Sequence, residues 1–177
     1  QGDFEGIYEA MEGRPVVIRF LDPPLHEFLP TKEEDIRELA ADMGVTEERL
    51  HAVIDSLHEF NPMMGHRGCR LAVSFPEIAE MQTTAVIRAA LAVQGRHPEW
   101  TLVPEIMIPL VGEVKELKYV KDVVTSTADR LLREAGSPMK YEVGTMIEVP
   151  RAALPPRVIA NGADLFFFGT NRLPHVP

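Results

Sequence analysis

The apolar residues of this chain follow two patterns that alternate along the sequence. Long segments with apolar residues three or four positions apart are typical of amphipathic helices, and short apolar segments rich in β-branched residues are typical of buried strands. The pattern predicts four strands, and these are Val16–Leu21, Pro104–Val111, Tyr141–Val149 and Asp164–Gly169. Alternation of this kind predicts a parallel α/β fold, but the pattern alone does not separate an open sheet from a barrel.

Helices are predicted in the intervals between these strands. They cover Phe4–Met11, two segments that begin after Thr31 and Thr46, Pro76 to about Val93, Glu113–Ala135, and a short segment after Arg151. Thr31 and Glu34 match a capping box, and Gly44 matches a helix end. We expect residues 31–60 to form a two-helix insertion within one domain that covers residues 1–177.

The composition limits the classes of function. A chain of 177 residues with 45% hydrophobic residues can bury one core, and its net charge of −9 argues against a nucleic-acid partner. A local arginine cluster can still bind a small anion. No apolar segment is long enough to predict a transmembrane helix. The single cysteine, Cys69, allows no intrachain disulfide and favours a reducing, cytoplasmic location.

The segment Asn61–Leu71 concentrates the residues most suited to binding an anion. Its sequence, Asn-Pro-Met-Met-Gly-His-Arg-Gly-Cys-Arg-Leu, holds two arginines, one histidine and two glycines. A guanidinium group presents a planar fork to a carboxylate or phosphate, and glycines let the backbone approach a ligand. A surface loop with solvated arginines explains the same composition, and the residues alone do not decide between the two.

Two further sets of residues invite a functional interpretation. Arg19 lies within the first predicted strand, where it shares a face with Val17 and needs either a partner, a ligand or an exposed edge strand. His51 and His58 lie seven residues apart on a predicted helix. They are possible metal ligands, but nothing completes a coordination set, and solvated helix residues are the favoured interpretation.

The segment Asn61–Leu71 resembles the signature of the pyruvate, phosphate dikinase family of phosphoenolpyruvate-utilising enzymes. Four other segments resemble that family in the same order, and they are Val17–Phe28, Glu105–Gly112, Gly144–Leu154 and Phe166–Asn171. The resemblance implies part of the phosphoenolpyruvate/pyruvate-binding domain, which is a (β/α)8 barrel that binds its ligands at the carboxyl ends of the strands. It also implies that the first strand and the last two are missing here.

The resemblance also implies a reaction. In the family, the barrel removes the phosphoryl group from phosphoenolpyruvate and leaves pyruvate enolate. A histidine on a separate domain accepts the phosphoryl group and carries it to a nucleotide-binding domain. The complete enzyme interconverts ATP, phosphate and pyruvate with AMP, diphosphate and phosphoenolpyruvate. The expected partners are therefore phosphoenolpyruvate or pyruvate and these two domains, and the expected cofactor is Mg²⁺.

Four positions of this sequence match functional residues of the family. Arg19 and Arg67 match the catalytic arginines that clamp the substrate. Glu148 matches a magnesium ligand that also contacts the substrate, although without the resemblance it would be interpreted as an exposed carboxylate at a strand end. Asn171 matches a substrate-contacting asparagine and follows Gly169 and Thr170, which we include in the same substrate-binding segment.

The other reactive side chains of the signature receive weaker roles. We interpret His66 as structural and Arg70 as a second contact for the anion. Cys69 is interpreted as a packing residue, because the resemblance places the catalytic cysteine of the family on a later loop.

The end of the sequence departs from the family pattern. Arg172 occupies the position of an aspartate that is the second metal ligand in the family. A guanidinium group about 4 Å from a cation is repelled by roughly 4 kcal/mol per unit charge pair, so metal binding is in question. We therefore expect no turnover by this chain alone. Two other functions stay open: a non-catalytic, incomplete barrel that self-associates as a homo-oligomer, and a metal-dependent lyase acting through pyruvate enolate.

Overall fold

A computed structural model describes residues 1–23, 25–57, 65–153, 159 and 161–169 of the chain. The chain forms two compact units. The first unit contains residues 1–22 and 68–177, and the second contains residues 23–67. No helix in the described parts of the chain is both long and apolar enough to cross a membrane.

The first unit is built on a sheet of four parallel strands in the order β1-β2-β3-β4. The strands are β1 (Val16–Arg19), β2 (Pro104–Ile108), β3 (Glu142–Ile147) and β4 (Phe166–Phe168). In the register, Arg19 lies beside Met107, and Met107 beside Gly144. The strands curl into half a barrel, which confirms the predicted partial (β/α)8 architecture.

Seven α-helices and one 3₁₀ helix accompany the described strands. The first unit contains α1 (Gly2–Met11), α4 (Gly68–Ser74), α5 (Pro76–Arg96), α6 (Val114–Glu134) and α7 (Pro150–Ala153). The second unit contains the 3₁₀ helix (Leu25–Phe28), α2 (Glu33–Met43) and α3 (Glu47–Leu57). The predicted helices are thus all present, with ends that differ by a few residues.

The two longest helices, α5 and α6, bury their apolar faces in the core of the first unit. On α6 the buried residues recur three or four positions apart and include Leu117, Val120, Val124, Ala128 and Leu131. On α5 the pattern of burial is less regular, because the apolar Met81 is 55% exposed and the neighbouring Gln82 is buried. A polar side chain in that position must satisfy its hydrogen bonds inside the protein.

The second unit is a helical hairpin with its own small core. Ile36 and Ala40 of α2 pack with Leu50 of α3. Gly44 ends α2 in the left-handed region at φ 65°, as predicted, but α2 begins after Lys32, so the predicted capping box at Thr31 was wrong. The predicted cap of α3 is confirmed by the bond from the Arg49 N–H group to Thr46 Oγ1, at 3.3 Å.

Asp164 ties the start of β3 to α6, and this contact predicts a pH dependence of stability. Its carboxylate accepts hydrogen bonds from Val143 N at 3.0 Å and from Lys121 Nζ at 2.9 Å. Burial raises the pKa of Asp164, but the bonds from Lys121 and Val143 outweigh it and hold the pKa below its usual value. A lowered carboxyl pKa adds stability above the unfolded-state value and loses it as the pH falls through the folded-state value.

We therefore expect Asp164→Asn to flatten the loss of unfolding free energy below about pH 4. Urea unfolding at a series of acidic pH values measures this loss. Asp122→Asn makes the same change at an exposed carboxylate of α6 and serves as the control. An unchanged acid limb in Asp164→Asn would contradict the assignment.

Candidate functional site

Three of the predicted site residues lie where strands of the sheet end. Arg19 is the last residue of β1, Glu148 directly follows β3, and Gly169 directly follows β4. Because the strands are parallel, these three positions lie at the same edge of the sheet. We call Arg19, Glu148 and Gly169 the carboxyl-edge site.

The register also places these residues on one face. In the register, Arg19 pairs with Met107, and Met107 pairs with Gly144 of β3. Side chains alternate between the two faces of a strand, so the residues two and four positions after Gly144 lie on the same face as Arg19. Glu148 lies four residues beyond Gly144, which is about 13 Å along an extended strand. A ligand common to Arg19 and Glu148 must therefore be reached by the extended arginine side chain.

Arg19 is held by its neighbours but keeps access to solvent. Its side chain is 40% exposed, and its Nη2 lies 3.2 Å from Oδ2 of the buried Asp22. The buried side chain of Gln82 accepts a hydrogen bond from Leu21 N at 2.9 Å and donates one to the Arg19 carbonyl at 3.1 Å. Since a guanidinium group carries five N–H donors in a fixed plane, the exposed part of Arg19 is suited to an anionic ligand.

Asp22 and Gln82 were not predicted from the sequence as parts of the site. One signal for Asp22 was a carboxylate three residues after an arginine at the end of a strand. The signal for Gln82 was a glutamine on a helix face that otherwise buries Ala79 and Val86.

Glu148 is completely buried, so its interpretation as an exposed strand-end carboxylate was wrong. Its Oε1 accepts a hydrogen bond from Leu110 N at 2.9 Å. Leu110 follows β2 and has a φ of 60°, which is unusual for a residue other than glycine. The carboxylate therefore fixes a strained turn at the carboxyl edge.

Gly169 is required by its contact with Glu148. A Cβ atom at position 169 would lie 2.7 Å from Cβ of Glu148, which is too close for any other residue without a shift. The Gly169 N–H group donates to the carbonyl of Ile147 at 2.9 Å and holds the two strand ends together. Thr170, Asn171 and Arg172 lie outside the described residues, and their predicted roles stay predictions.

The described part of the Asn61–Leu71 signature begins at Gly65. Gly68 and Cys69 start α4, and Cys69 N donates to the Pro109 carbonyl at 2.9 Å, just beyond β2. Gly68 has a φ of 55°, and a Cβ atom there would lie 3.0 Å from the same carbonyl oxygen. Arg67, one residue earlier, is half-buried and belongs to the second unit, and its substrate role stays a prediction.

The remaining reactive side chains of the signature lie around α4. Cys69 is fully buried, and burial, together with the charge of Glu116, raises the pKa of its thiol to about 12. Such a thiol stays protonated at neutral pH and is unsuited to act as a nucleophile. His66 and Arg70 are both half-buried.

The described residues do not by themselves fit a magnesium site. They contain no group of three or more histidine, cysteine, aspartate or glutamate side chains that could hold a metal ion. Glu148 contributes one carboxylate, and the carboxylate of Asp22 is paired with Arg19. In the second unit, His51 lies 3.3 Å from Glu33, and His58 is outside the described residues.

The amino terminus of α6 also lies at the carboxyl edge, because α6 follows β2. An exposed helix amino terminus attracts anions through its N–H groups. Here Oε2 of Glu116 accepts hydrogen bonds from Gly112 N and Glu113 N, both at 3.0 Å. A carboxylate of the helix itself therefore occupies these two N–H groups, which precede the first helical residue, Val114.

The opposite, amino edge of the sheet has a different character. Glu105 and Glu142 are neighbours in the register, and burial, followed by the charge of Glu142, raises the pKa of Glu105. A cleft of about 550 Å³ at this edge is lined by residues that include Trp100, Met139 and Lys140. It is mostly apolar and contains no arginine, so it does not match the predicted anion site.

Comparison with known proteins gives a consistent result. A family described as "PEP-utilising enzyme, PEP-binding domain" matches residues 1–175. The pyruvate, phosphate dikinases of Clostridium symbiosum and Rhizobium meliloti (strain 1021) are 60% and 53% identical over 98% of the chain, which covers 20% and 19% of those proteins. A chloroplastic pyruvate, phosphate dikinase of Flaveria pringlei is 50% identical over 98% of the chain and 18% of its own length. The chain thus spans about a fifth of the length of these relatives, and it belongs to the PEP-utilising enzyme family through the PEP-binding domain.

Proposed function

We propose that this chain supplies the phosphoenolpyruvate/pyruvate-binding part of a pyruvate, phosphate dikinase, which is a phosphotransferase. The observation that carries the proposal is the arrangement of Arg19, Glu148 and Gly169 on one face at the carboxyl edge. Barrels of this type bind their substrates at that edge. The relatives named pyruvate, phosphate dikinase supply the substrate class.

In this proposal, Arg19 binds the anionic substrate with the exposed part of its guanidinium group. Asp22 pairs with this guanidinium group and Gln82 bonds the backbone carbonyl of Arg19, so a bidentate contact to a phosphoryl or carboxylate group needs little further ordering. The resemblance assigns the second positive charge to Arg67, and it assigns substrate contacts to the segment of Gly169, Thr170 and Asn171.

Glu148 gives this site a negative group beside an anionic substrate. The resemblance makes this position a magnesium ligand, and a bound Mg²⁺ would supply charge neutralisation there. Glu148 is the carboxylate that this chain offers to it, while Arg172 stands at the second ligand position, so magnesium binding by this chain stays a prediction.

The complete reaction would need more than these 177 residues. The phosphohistidine domain and the nucleotide-binding domain are the proposed partners, because the relatives are about five times longer than this chain.

Self-association is a second candidate. The three phenylalanines of β4, Phe166, Phe167 and Phe168, are all exposed, and such an edge favours pairing with another chain.

We expect the chain to bind phosphoenolpyruvate saturably but to release no pyruvate from it, with or without Mg²⁺. Binding needs only the carboxyl edge, whereas turnover needs a phosphoryl acceptor. Isothermal titration calorimetry measures the binding, and a coupled lactate dehydrogenase assay measures the pyruvate. Glycerol 3-phosphate, which has a phosphate but no carboxylate, is the control ligand and should bind more weakly. Absence of binding would overturn the proposed function, and clear pyruvate release would overturn the expected inactivity.

A further inference from the structure

At the carboxyl end of β1, the backbone groups on the side away from β2 are bonded by a side chain and not by another strand. Phe20 N donates to the Met107 carbonyl of β2 at 2.9 Å, so the backbone groups of Arg19 and Leu21 point away from β2. Gln82 donates to the carbonyl of Arg19 and accepts from the N–H group of Leu21. A residue on a parallel neighbouring strand would make the same two bonds.

We propose that Gln82 and Asp22 are positioning residues for Arg19 in phosphoenolpyruvate binding. Gln82 fixes the backbone of Arg19 from the open edge of β1, and Asp22 fixes the direction of its guanidinium group. This inference rests on the proposed function, because it gives a purpose to the orientation of Arg19. It does not require either residue to touch the substrate.

The burial of the two residues supports a fixed arrangement. Gln82 is 6% exposed and Asp22 is 4% exposed, whereas the Arg19 side chain is 40% exposed. Two buried polar groups therefore hold one exposed cation. An arginine on the surface would otherwise sample many rotamers, and binding would have to restrict them.

The same helix provides a matched control at the other edge of the sheet. Gln94, near the end of α5, donates to the carbonyls of His97 and Trp100 and accepts from Leu102 N. It therefore binds backbone groups just before β2, as Gln82 does just after β1. Gln82→Met and Gln94→Met remove the same amide from the same helix, but only the first affects Arg19.

We expect Gln82→Met and Asp22→Asn each to weaken phosphoenolpyruvate binding about 5-fold to 10-fold, which is the usual effect of losing one or two hydrogen bonds. Gln94→Met should lower the melting temperature about as much as Gln82→Met does, but it should leave the dissociation constant for phosphoenolpyruvate unchanged. Calorimetry on the complete chain gives the affinities, and circular dichroism confirms the fold of each variant. Equal affinity in wild type, Gln82→Met and Asp22→Asn would overturn the positioning role.

Gln82→Glu adds a readout that a purely structural role would not produce. When the introduced carboxyl group is deprotonated, it accepts from Leu21 N but repels the Arg19 carbonyl, whereas its protonated form restores both bonds. The affinity of Gln82→Glu relative to wild type at the same pH should therefore recover as the pH falls, while that of Gln82→Met should not. If the ratio of the Gln82→Glu affinity to the wild-type affinity does not change with pH, the proposal is contradicted.

The Nε–Hε signal of Arg19 in an NMR spectrum separates this inference from the proposed function. The signal is assigned by its loss in Arg19→Lys, and it should shift in Gln82→Met and Asp22→Asn but not in Gln94→Met. If wild type fails to bind phosphoenolpyruvate, the proposed function fails, and the shifts still show whether Arg19 is held as inferred. An unshifted signal in both variants overturns the inference even if wild type binds. Should Gln82→Met not fold, Asp22→Asn and Gln82→Glu decide.

Discussion

Replacing Arg19 with methionine is expected to weaken phosphoenolpyruvate binding by about 100-fold or more. A guanidinium group that donates two hydrogen bonds to a charged ligand contributes about 1.5 to 3 kcal/mol for each bond. Methionine keeps an unbranched chain of similar length but has no charge and no N–H donor. Arg19→Lys keeps the charge and loses the planar fork, so its affinity should fall about 10-fold. Isothermal titration calorimetry measures both variants.

Two controls make this result interpretable. Arg88→Met makes the same change at an exposed position of α5 and should leave the affinity unchanged. Arg19→Met also removes the ion pair of the buried Asp22, which costs stability. The double variant with Asp22→Asn also removes the buried carboxylate charge, and it should bind as weakly as Arg19→Met alone. Wild-type affinity in a folded Arg19→Met variant would place the substrate elsewhere.

Replacing Gly144 with alanine is expected to lower the unfolding free energy by about 3 kcal/mol or more, which is the upper range for forcing a methyl group into a packed site. A Cβ atom on Gly144 would lie 2.2 Å from the carbonyl oxygen of Leu165. The backbone cannot easily move away. Asp164 N donates to Val143 O at 2.9 Å, and Thr145 N donates to the Leu165 carbonyl at 3.2 Å.

Urea unfolding followed by tryptophan fluorescence measures this effect. The chain has one tryptophan, Trp100, and it lies in the first unit with Gly144. Gly95→Ala is the control, because a Cβ atom there meets nothing within 4 Å. Alanine in place of Gly95 in α5 should raise the unfolding free energy by up to about 1 kcal/mol. A Gly144→Ala variant as stable as wild type would contradict the close packing of Leu165 on β3.

The fold was largely predictable because its signals are local. The apolar face of α6 and the alternation of buried Ile18 and exposed Arg19 in β1 follow from helix and strand periodicity. Some predicted strands were longer than the observed ones, and the cause is again local. Pro104–Val111 was expected as one strand, but β2 ends at Ile108, since Pro109 and the strained Leu110 turn the chain.

The site was predictable only in part, because its environment is made by distant residues. The burial of Glu148 depends on a close contact with Gly169 and on a hydrogen bond from Leu110, 38 positions away. The clamp on Arg19 comes from Gln82, 63 positions further along the chain. Periodicity locates a residue on a face but does not identify its partner across the fold.

The hydrogen bonds at the start of α6 have a consequence for ligand discrimination. Glu116 occupies N–H groups that would otherwise attract any anion regardless of its shape. A helix dipole favours charge without regard to geometry, whereas a guanidinium plane favours ligands whose oxygens match its spacing. With these two N–H groups occupied, the proposed site would distinguish ligands by the outline that a guanidinium plane matches rather than by the sign of their charge alone.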